Sequence, residues 1–292
     1  MITREVSTIP RMWGDEVNKD ALTASTLLLP VPINSGNVTA GANKISFPIA
    51  LPPAVDGAGL LAARGLLLTG GAGTKKIHTV LDIKKAAVSV FPDKAIPTVL
   101  VYDDNGSPQF TDAAAEAWSA AGTPFTVLGA AADKLYLGFD YKAGCVYFDI
   151  NAAAVITSVG WKYSKAAWGT LTVGNGTNGT APFDQDGYVS WVPPSDWVPA
   201  EVNGVTKYWV ELAVASGWTS GPTVYSIRDK SNLINISKGS DDEQQDAGII
   251  ETPVELAAGD ILNVDILNVP ETTPPTNLTA MLALQLLRPR IP

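Results

Sequence analysis

The sequence predicts a mainly-β protein made of two β-sandwich or jelly-roll domains, the second inserted into the first, with one short helix near residues 112–121. Three observations predict this fold class. Short alternating segments recur between Gly, Pro, Asn and Asp over residues 134–228, as in antiparallel sandwiches. Hydrophobic residues are 46% and charged residues 17% of the 292, a composition that supports about two cored domains. Convincing helix signals occur at one place in the sequence.

The middle of the chain is predicted to be a Trp-rich β-sandwich, residues 131–235, inserted at a surface turn where insertions are tolerated. Its predicted strands are residues 135–140, 145–150, 155–164, 187–194, 207–214 and 223–228. Six of the eight tryptophans of the chain lie in this part. A sandwich core uses only a few such rings, each burying about 150–250 Å². We therefore expect some of the six to face outward.

The N-terminal residues 1–40 are predicted to form an extended arm, because prolines and scattered charges interrupt any regular pattern. Residues 43–51 then predict a strand, and Pro48 indicates that this strand lies at a sheet edge. The apolar face of the predicted strand is Ile45, Phe47, Ile49 and Leu51.

Two further strands are predicted at residues 65–69 and 77–91, joined by a Gly-rich loop at residues 70–73. A strand followed by such a loop and a lysine is similar to a phosphate-binding loop. The P-loop spacing is not met, however, because Gly73 precedes Thr-Lys-Lys, and the residues that follow alternate like a strand. We interpret the loop as a β-turn.

The single predicted helix covers residues 112–121. Thr111 or Asp112 is expected to cap its N-terminus, and Gly122 followed by Pro124 to end it. One short helix in a chain of this length agrees with a mainly-β class.

The C-terminal part predicts strands again, within residues 248–269 and 277–287. These strands are too few to close a core alone, so we expect them to pair with strands of the N-terminal part. The result is a discontinuous jelly-roll-like domain of residues 41–130 and 236–292. The predicted inward faces are Leu262, Val264 and Ile266, and Leu278, Ala280, Leu282, Leu284 and Leu286.

Composition and charge argue against several classes of function. A net charge of −9 disfavours nucleic-acid binding, which depends on cations that displace counterions. One cysteine, Cys145, excludes an intramolecular disulfide, and Cys145 with the single His78 is too few ligands for a structural zinc site. No apolar run reaches the roughly 18 residues of a membrane helix. We expect no cofactor, no metal and no membrane partner.

The sequence also lacks the patterns of common catalytic sites. No histidine lies near any serine in the sequence, and no G-x-S-x-G motif is present. Asp184 and Asp186 begin a D-x-D-G pattern, but the remaining calcium ligands are missing, so a hairpin turn is the preferred interpretation. We expect no catalytic residues and no enzymatic activity.

Four tryptophans are the candidates for an interface or a receptor contact: Trp13, Trp197, Trp209 and Trp218. Alternation along residues 207–214 places Tyr208 and Val210 inward, which leaves Trp209 on the outer face. An outward tryptophan can stack on a sugar, cover another strand or anchor a subunit interface. All three alternatives are kept open.

The middle part also resembles a known module. The segments that carry the likeness are residues 135–140 (LYLGFD), 146–150 (VYFDI), 161–163 (WKY) with Trp168, 187–197 (GYVSWVPPSDW) and 203–210 (NGVTKYWV). Taken in this order, the segments resemble a β-sandwich module that recurs in head-surface, tail and baseplate proteins of tailed bacteriophages. Lys162 stands where the module usually has an acidic residue, and residues 164–167 replace an Asn-Gly turn. The likeness covers about a third of the chain.

The resemblance implies a non-enzymatic virion structural protein, most simply a capsid decoration (cement) protein that binds and stabilises the outer surface of a tailed-phage head. The expected partners are the major capsid protein and neighbouring copies of the chain, as a homotrimer. The expected location is the capsid surface of the virion, after synthesis in the host bacterial cytoplasm. The alternative is a tail, baseplate or fibre component whose sandwich contacts a host glycan. A third reading is an enzyme that acts on surface polysaccharide.

Overall fold

The structure is a computed structural model that describes residues 26–49, 57–69, 78–119, 122–236, 244–248, 250, 253–270 and 272–287. In the described part of the chain, most residues lie in strands and 2% in a helix, which confirms the mainly-β class with one short helix. The helix α1 is Ala114–Trp118. The strands, in chain order, are β1 (Thr26–Asn37), β2 (Gly41–Pro48), β3 (Gly57–Thr69), β4 (Thr79–Lys85), β5 (Val88–Ser89), β6 (Thr98–Tyr102), β7 (Phe110–Asp112), β8 (Phe125–Thr126), β9 (Lys134–Phe139), β10 (Cys145–Ala152), β11 (Val155–Tyr163), β12 (Gly169–Thr170), β13 (Gly174–Asn175), β14 (Gly187–Ser190), β15 (Ala200–Val202), β16 (Val205–Ser220), β17 (Thr223–Asp229), β18 (Ile234–Ile236), β19 (Gln244–Gly248), β20 (Val254–Leu256), β21 (Ile261–Asn268) and β22 (Thr276–Leu287).

Two antiparallel sheets form the first sandwich. One has the order β1-β22-β3-β19, with β20 also paired to β3. The other has the order β18-β4-β21-β2, with β5 paired to β4. When the eight main strands are numbered along the chain, the two orders are 1-8-3-6 and 2-7-4-5. This is the strand arrangement of a jelly roll.

The core of this first sandwich follows the alternation that the sequence predicts. Successive side chains of a strand point to opposite faces of its sheet, and every second residue is buried from Leu262 to Ile266 of β21 and from Leu278 to Leu284 of β22. The buried residues of these two strands in the shared core are Leu262, Val264 and Ile266, and Leu278, Ala280, Leu282 and Leu284. Hydrophobic burial of these faces holds the two sheets together.

Strand β1 differs from the predicted N-terminal arm of residues 1–40. Residues 1–25 lie outside the described residues, but residues 26–37 form a strand paired with β22, with register shifts between Pro32 and Asn34 and between Asn34 and Asn37. Pro30 and Pro32 interrupt the sequence pattern and predict irregular structure here. Strand β1 lies at the edge of its sheet. Backbone N–H groups of an edge strand that face away from the neighbouring strand β22 have no partner strand, so proline, which lacks an N–H, is tolerated at such a position. Pro48 lies in β2, the edge strand of the other sheet, as predicted.

The second sandwich also consists of two sheets. The orders are β13-β14-β10-β17-β8 and β12-β11-β16-β9-β6-β7, with β15 paired to β16. Its core contains Phe139, Phe148, Trp161, Phe183 and Trp191, all buried. Aromatic rings are therefore a large part of the core between these two sheets.

The sheets of the second sandwich include strands that precede residue 131, where the sequence predicts this sandwich to begin. Strand β6 pairs with β9 over five residue pairs, and Ile96 and Val99 belong to the aromatic core. Strands β6, β7 and β8 thus belong to the sheets of the second sandwich rather than to those of the first. At the other end, Ile234 and Ile236 of β18 are buried in the first core. The division of the chain into a domain and an inserted domain stays a prediction.

The helix is shorter than the predicted residues 112–121. Ala113 occupies the N-cap position without a side-chain cap, but the Asp112 carboxylate accepts a hydrogen bond from the Ala114 N–H at 2.9 Å. The backbone is extended at Ser119, which ends the helix before Gly122. No helix in the described part of the chain has the length and apolar character needed to cross a membrane.

Candidate functional site

Trp209 lies on the outer face of its sheet, as alternation predicts, but it is not exposed. Tyr208 and Val210 face the main core, whereas Trp209 belongs to a separate small cluster with Leu100 and Tyr136. Its exposure is 0%. Its indole N–H donates to the Ala200 carbonyl at 2.8 Å. Strand β15 and the rings around it therefore cover Trp209, which has no surface for a receptor contact.

The other tryptophan candidates divide into three cases. Trp197 is 1% exposed and donates its indole N–H to Ser164 Oγ at 3.1 Å, so it also lacks contact surface. Trp218 is half-buried, and its indole N–H donates to the Leu128 carbonyl at 3.1 Å. Trp13 lies outside the described residues. Trp218 is the one described candidate with some accessible surface.

The two most exposed tryptophans among the described residues are not among the candidates that the sequence predicts. Trp118 is 42% and Trp168 is 36% exposed. The ring of Trp118 contacts the Arg228 guanidinium, 4.7 Å from the ring centroid, and Trp168 packs on Tyr136 with ring centroids 5.8 Å apart. Trp168 follows the loop at residues 164–167, after the end of β11. This position outside a strand is the sequence feature that could have indicated its exposure.

The Asp184 loop is a turn stabilised by its own carboxylates. Asp184 accepts hydrogen bonds from the backbone N–H groups of Gly179 (2.5 Å), Thr180 (2.6 Å) and Ala181 (2.9 Å). Burial raises the pKa of Asp184, but these hydrogen bonds outweigh burial and lower the pKa to about 2. Asp186 accepts the N–H of Ile150 at 2.7 Å. Among the residues that the structure describes, no three His, Cys, Asp or Glu side chains group as metal ligands.

His78 and Ser190 are 112 residues apart in sequence, yet the structure brings them together. His78 Nδ1 lies 2.9 Å from Ser190 Oγ, a contact that the separation of the two residues in the sequence does not reveal. Both residues are buried, and burial lowers the pKa of His78 to about 4. A nucleophile and a base need access to a substrate, so this pair is better explained as a buried structural contact. Cys145 is also buried, and burial raises the pKa of its thiol.

Several polar contacts join the two sandwiches where the chain passes between them. Lys94 and Asp229 exchange backbone hydrogen bonds of 3.2 and 3.0 Å, so the entering and leaving segments lie side by side. Asp93 forms an ion pair with Lys230. The Asn235 side chain donates to the Gly144 carbonyl at 3.2 Å. Together with the His78 contact, these bonds connect the sandwiches at one place.

A cavity of about 270 Å³ opens at the side of the second sandwich. Strand β11 contributes Thr157, Ser158 and Trp161, and the segment after β12 contributes Asn175 of β13, Asn178 and Thr180. The cavity therefore lies where an outer strand of one sheet approaches the edge strand of the other. None of its ten lining residues carries a charge.

Three polar atoms of the cavity residues are buried without a hydrogen-bond partner among the described residues. They are Trp161 Nε1, Asn175 Nδ2 and Asn178 Oδ1. A buried donor or acceptor without a partner costs about 1–3 kcal/mol, so each such atom calls for an explanation, such as a bound molecule. The cavity is not predictable from the sequence, because alternation alone does not show which polar atoms are paired.

The fold and cavity define a mainly-β protein with two packed sandwiches and a neutral polar cavity in the second. No protein-family model matches the chain, and no curated protein is significantly similar to it.

Proposed function

We propose that the protein is a non-enzymatic virion structural protein that decorates the outer surface of a tailed-phage head. The observation that carries this proposal is the jelly-roll strand order, interrupted between β4 and β18 by a Trp-rich sandwich with the phage-like segments. Jelly rolls are common in viral capsid proteins, but one fold hosts many functions. The resemblance of residues 134–228 supports the choice of a virion protein over the others.

The state of the reactive side chains supports a structural role. Ser190, His78 and Cys145 are buried, and the Asp184 carboxylate is occupied by its own loop. A hydrolase needs a nucleophile and a base that its substrate can reach. The side chains named here are instead buried or hydrogen-bonded within their own loop. The large aromatic core of the second sandwich contributes stability, which suits a protein exposed on a particle surface.

The path of the chain supports a projecting second sandwich. The segments at Lys94 and Asp229 cross together, so the second sandwich is attached at one place on the first. In the proposal, the jelly roll binds the major capsid protein and neighbouring copies of the chain, and the Trp-rich sandwich extends outward. A homotrimer fits the rotational symmetry of capsid positions.

Particle reconstruction and quantitative mass spectrometry of purified virions test the proposal. The expected result is a high copy number on the head, in threefold groups that contact the major capsid protein. Native mass spectrometry of the purified chain is expected to show a trimer. Absence of the chain from purified particles would overturn the proposal.

The second candidate is a tail, baseplate or fibre component that contacts a host glycan. The neutral polar cavity of the second sandwich favours this candidate. The particle reconstruction also distinguishes the two candidate functions. A few copies of the chain at the tail would support the tail role and contradict decoration of the head.

A further inference from the structure

We propose that the cavity beside β11 binds a single ring of a neutral sugar. The site is the approximately 270 Å³ cavity that contains Trp161, Asn175 and Asn178 among its lining residues. Nothing in the decoration role requires such a site, so this inference goes beyond that role and holds for a head or a tail position alike.

The unpaired polar atoms match the hydrogen-bonding chemistry of hydroxyl groups. Trp161 Nε1 and Asn175 Nδ2 are donors, and Asn178 Oδ1 is an acceptor. A hydroxyl group both donates and accepts, so hydroxyl groups are neutral partners for the two donors and for the acceptor alike. Trp161 and Asn175 are each 5% exposed, which makes the unpaired donors costly when the cavity holds no partner.

The electrostatics of the cavity favour a neutral ligand. No lining residue is charged, and the nearby Asp184 carboxylate already accepts three backbone N–H groups. The chain as a whole carries a net charge of −9, which repels phosphate and carboxylate groups. A cationic ligand would find no free carboxylate among the lining residues.

The size of the cavity suits one ring. A cavity of about 150 Å³ holds a benzene molecule, so about 270 Å³ accommodates one six-membered ring with its hydroxyl groups. Ligand cavities for drug-sized molecules begin at about 300 Å³. A longer oligosaccharide would have to extend outside with its remaining rings.

The wall of the cavity is organised before any ligand binds. Asp184 ties together the backbone of residues 179–181. Phe183, which follows the wall, is fully buried and packs edge-on against Phe148 with ring centroids 5.2 Å apart. A preorganised site loses less conformational entropy on binding.

Trp161 is inferred to act through its N–H edge rather than through its face. Its ring packs against Phe148 and Phe183, with centroids 6.3 and 6.2 Å away. Both neighbours belong to the same buried core. A sugar that stacks on an exposed ring is therefore not the mode of binding here, which distinguishes this site from the surface tryptophans.

Binding of neutral sugars by the full chain tests the proposal. Glucose, galactose and N-acetylglucosamine are titrated at millimolar concentration, followed by saturation-transfer NMR and tryptophan fluorescence. Sialic acid is the charged comparison. Saturable binding of at least one neutral sugar is expected, and Trp161→Phe, which keeps the ring but removes the N–H, should weaken it at least about fivefold. Asn178→Ala should weaken it similarly.

Trp218→Phe is the matched control, because it makes the same chemical change at an indole that is already paired with Leu128. Circular dichroism and thermal unfolding establish that each variant is folded, and Asn178→Ala keeps the test informative if Trp161→Phe unfolds. Three results would overturn the proposal: no saturable binding of any neutral sugar, meaning a water-filled cavity only; equal loss in Trp161→Phe and Trp218→Phe; or tighter binding of sialic acid.

Discussion

The hydroxyl of Ser164 accepts a hydrogen bond from the indole N–H of Trp197 at 3.1 Å. The same oxygen accepts the backbone N–H of Trp209 at 3.0 Å and donates to the Val198 carbonyl at 2.7 Å. One buried serine thus satisfies groups from two of the predicted contact tryptophans. These tryptophans stabilise the second sandwich internally.

Replacing this serine is predicted to destabilise the protein strongly. Ser164→Ala leaves two buried N–H groups and a carbonyl without their partner, and we expect a loss of about 3 kcal/mol in the free energy of unfolding. Urea denaturation measures it. Ser216→Ala is the control, because Ser216 is exposed and bonds only to the Ser158 hydroxyl in the described contacts; a change below about 0.5 kcal/mol is expected there. Equal effects of the two substitutions would contradict the assignment.

The close approach of Gly138 to Trp209 gives a second prediction. A Cβ atom on Gly138 would lie 2.6 Å from Trp209 Cζ3, so Gly138→Ala is expected to cost about 2 kcal/mol of stability through overpacking. Gly160→Ala in β11 is the control, since a Cβ there meets nothing within 4 Å. Combining Gly138→Ala with Trp209→Phe should cost less than the sum of the two single changes. Additive costs in this double-mutant cycle would show that the clash is absent.

Asp82 gives a pH-dependent prediction. Burial raises its pKa from 3.8 to about 6, more than the hydrogen bond from Ser89 and the charge of Lys84 lower it. The stability that protonated Asp82 contributes is fully present below about pH 3.8 and is lost as the pH rises through about 6. Asp82→Asn, which can still accept from Ser89, should therefore be more stable than the wild type by about 2–3 kcal/mol near pH 8. This advantage should disappear near pH 4, and urea unfolding at both pH values checks it. A variant less stable than the wild type near pH 8 would refute the prediction.

His78 gives the opposite dependence on pH. Burial lowers its pKa from 6.5 to about 4, so the unfolded chain takes up a proton before the folded protein does. The stability that neutral His78 contributes is present above about pH 6.5 and is lost as the pH falls toward 4. Relative to His78→Asn, the wild type should lose about 2 kcal/mol between about pH 7.5 and pH 5. Because the Asp82 effect has the opposite sign over the same range, the comparison must be made against the variant. A difference that does not change with pH would rule out a depressed pKa.

Some features of the fold were predictable because they depend on neighbours along one strand. Alternation correctly placed Leu278 and Leu282 of β22 inward, and it separated Trp209 from Tyr208 and Val210. The helix was found at the right place, although its predicted length was too great. The prediction of an irregular arm was wrong for residues 26–37 because Pro30 and Pro32 are compatible with an edge strand. Edge position is a property of the whole sheet, which the local sequence does not show.

The candidate site could not be predicted in the same way. Trp161 lies on β11, whereas Asn175 and Asn178 follow two turns later, and only packing of the two sheet edges encloses a cavity between them. The contact between His78 and Ser190 likewise joins residues 112 positions apart.

By itself, the sequence determined the mainly-β class and the inward face of the well-patterned strands, because side chains alternate every two residues in any strand. The tertiary structure decided which outward faces are covered, as for Trp209 beneath β15, and which polar atoms stay unpaired, as for Trp161. Segments distant in the chain cover an outward side chain or supply the hydrogen-bond partner of a polar atom. Whether such segments meet depends on the free energy of the whole packed protein rather than on any local pattern.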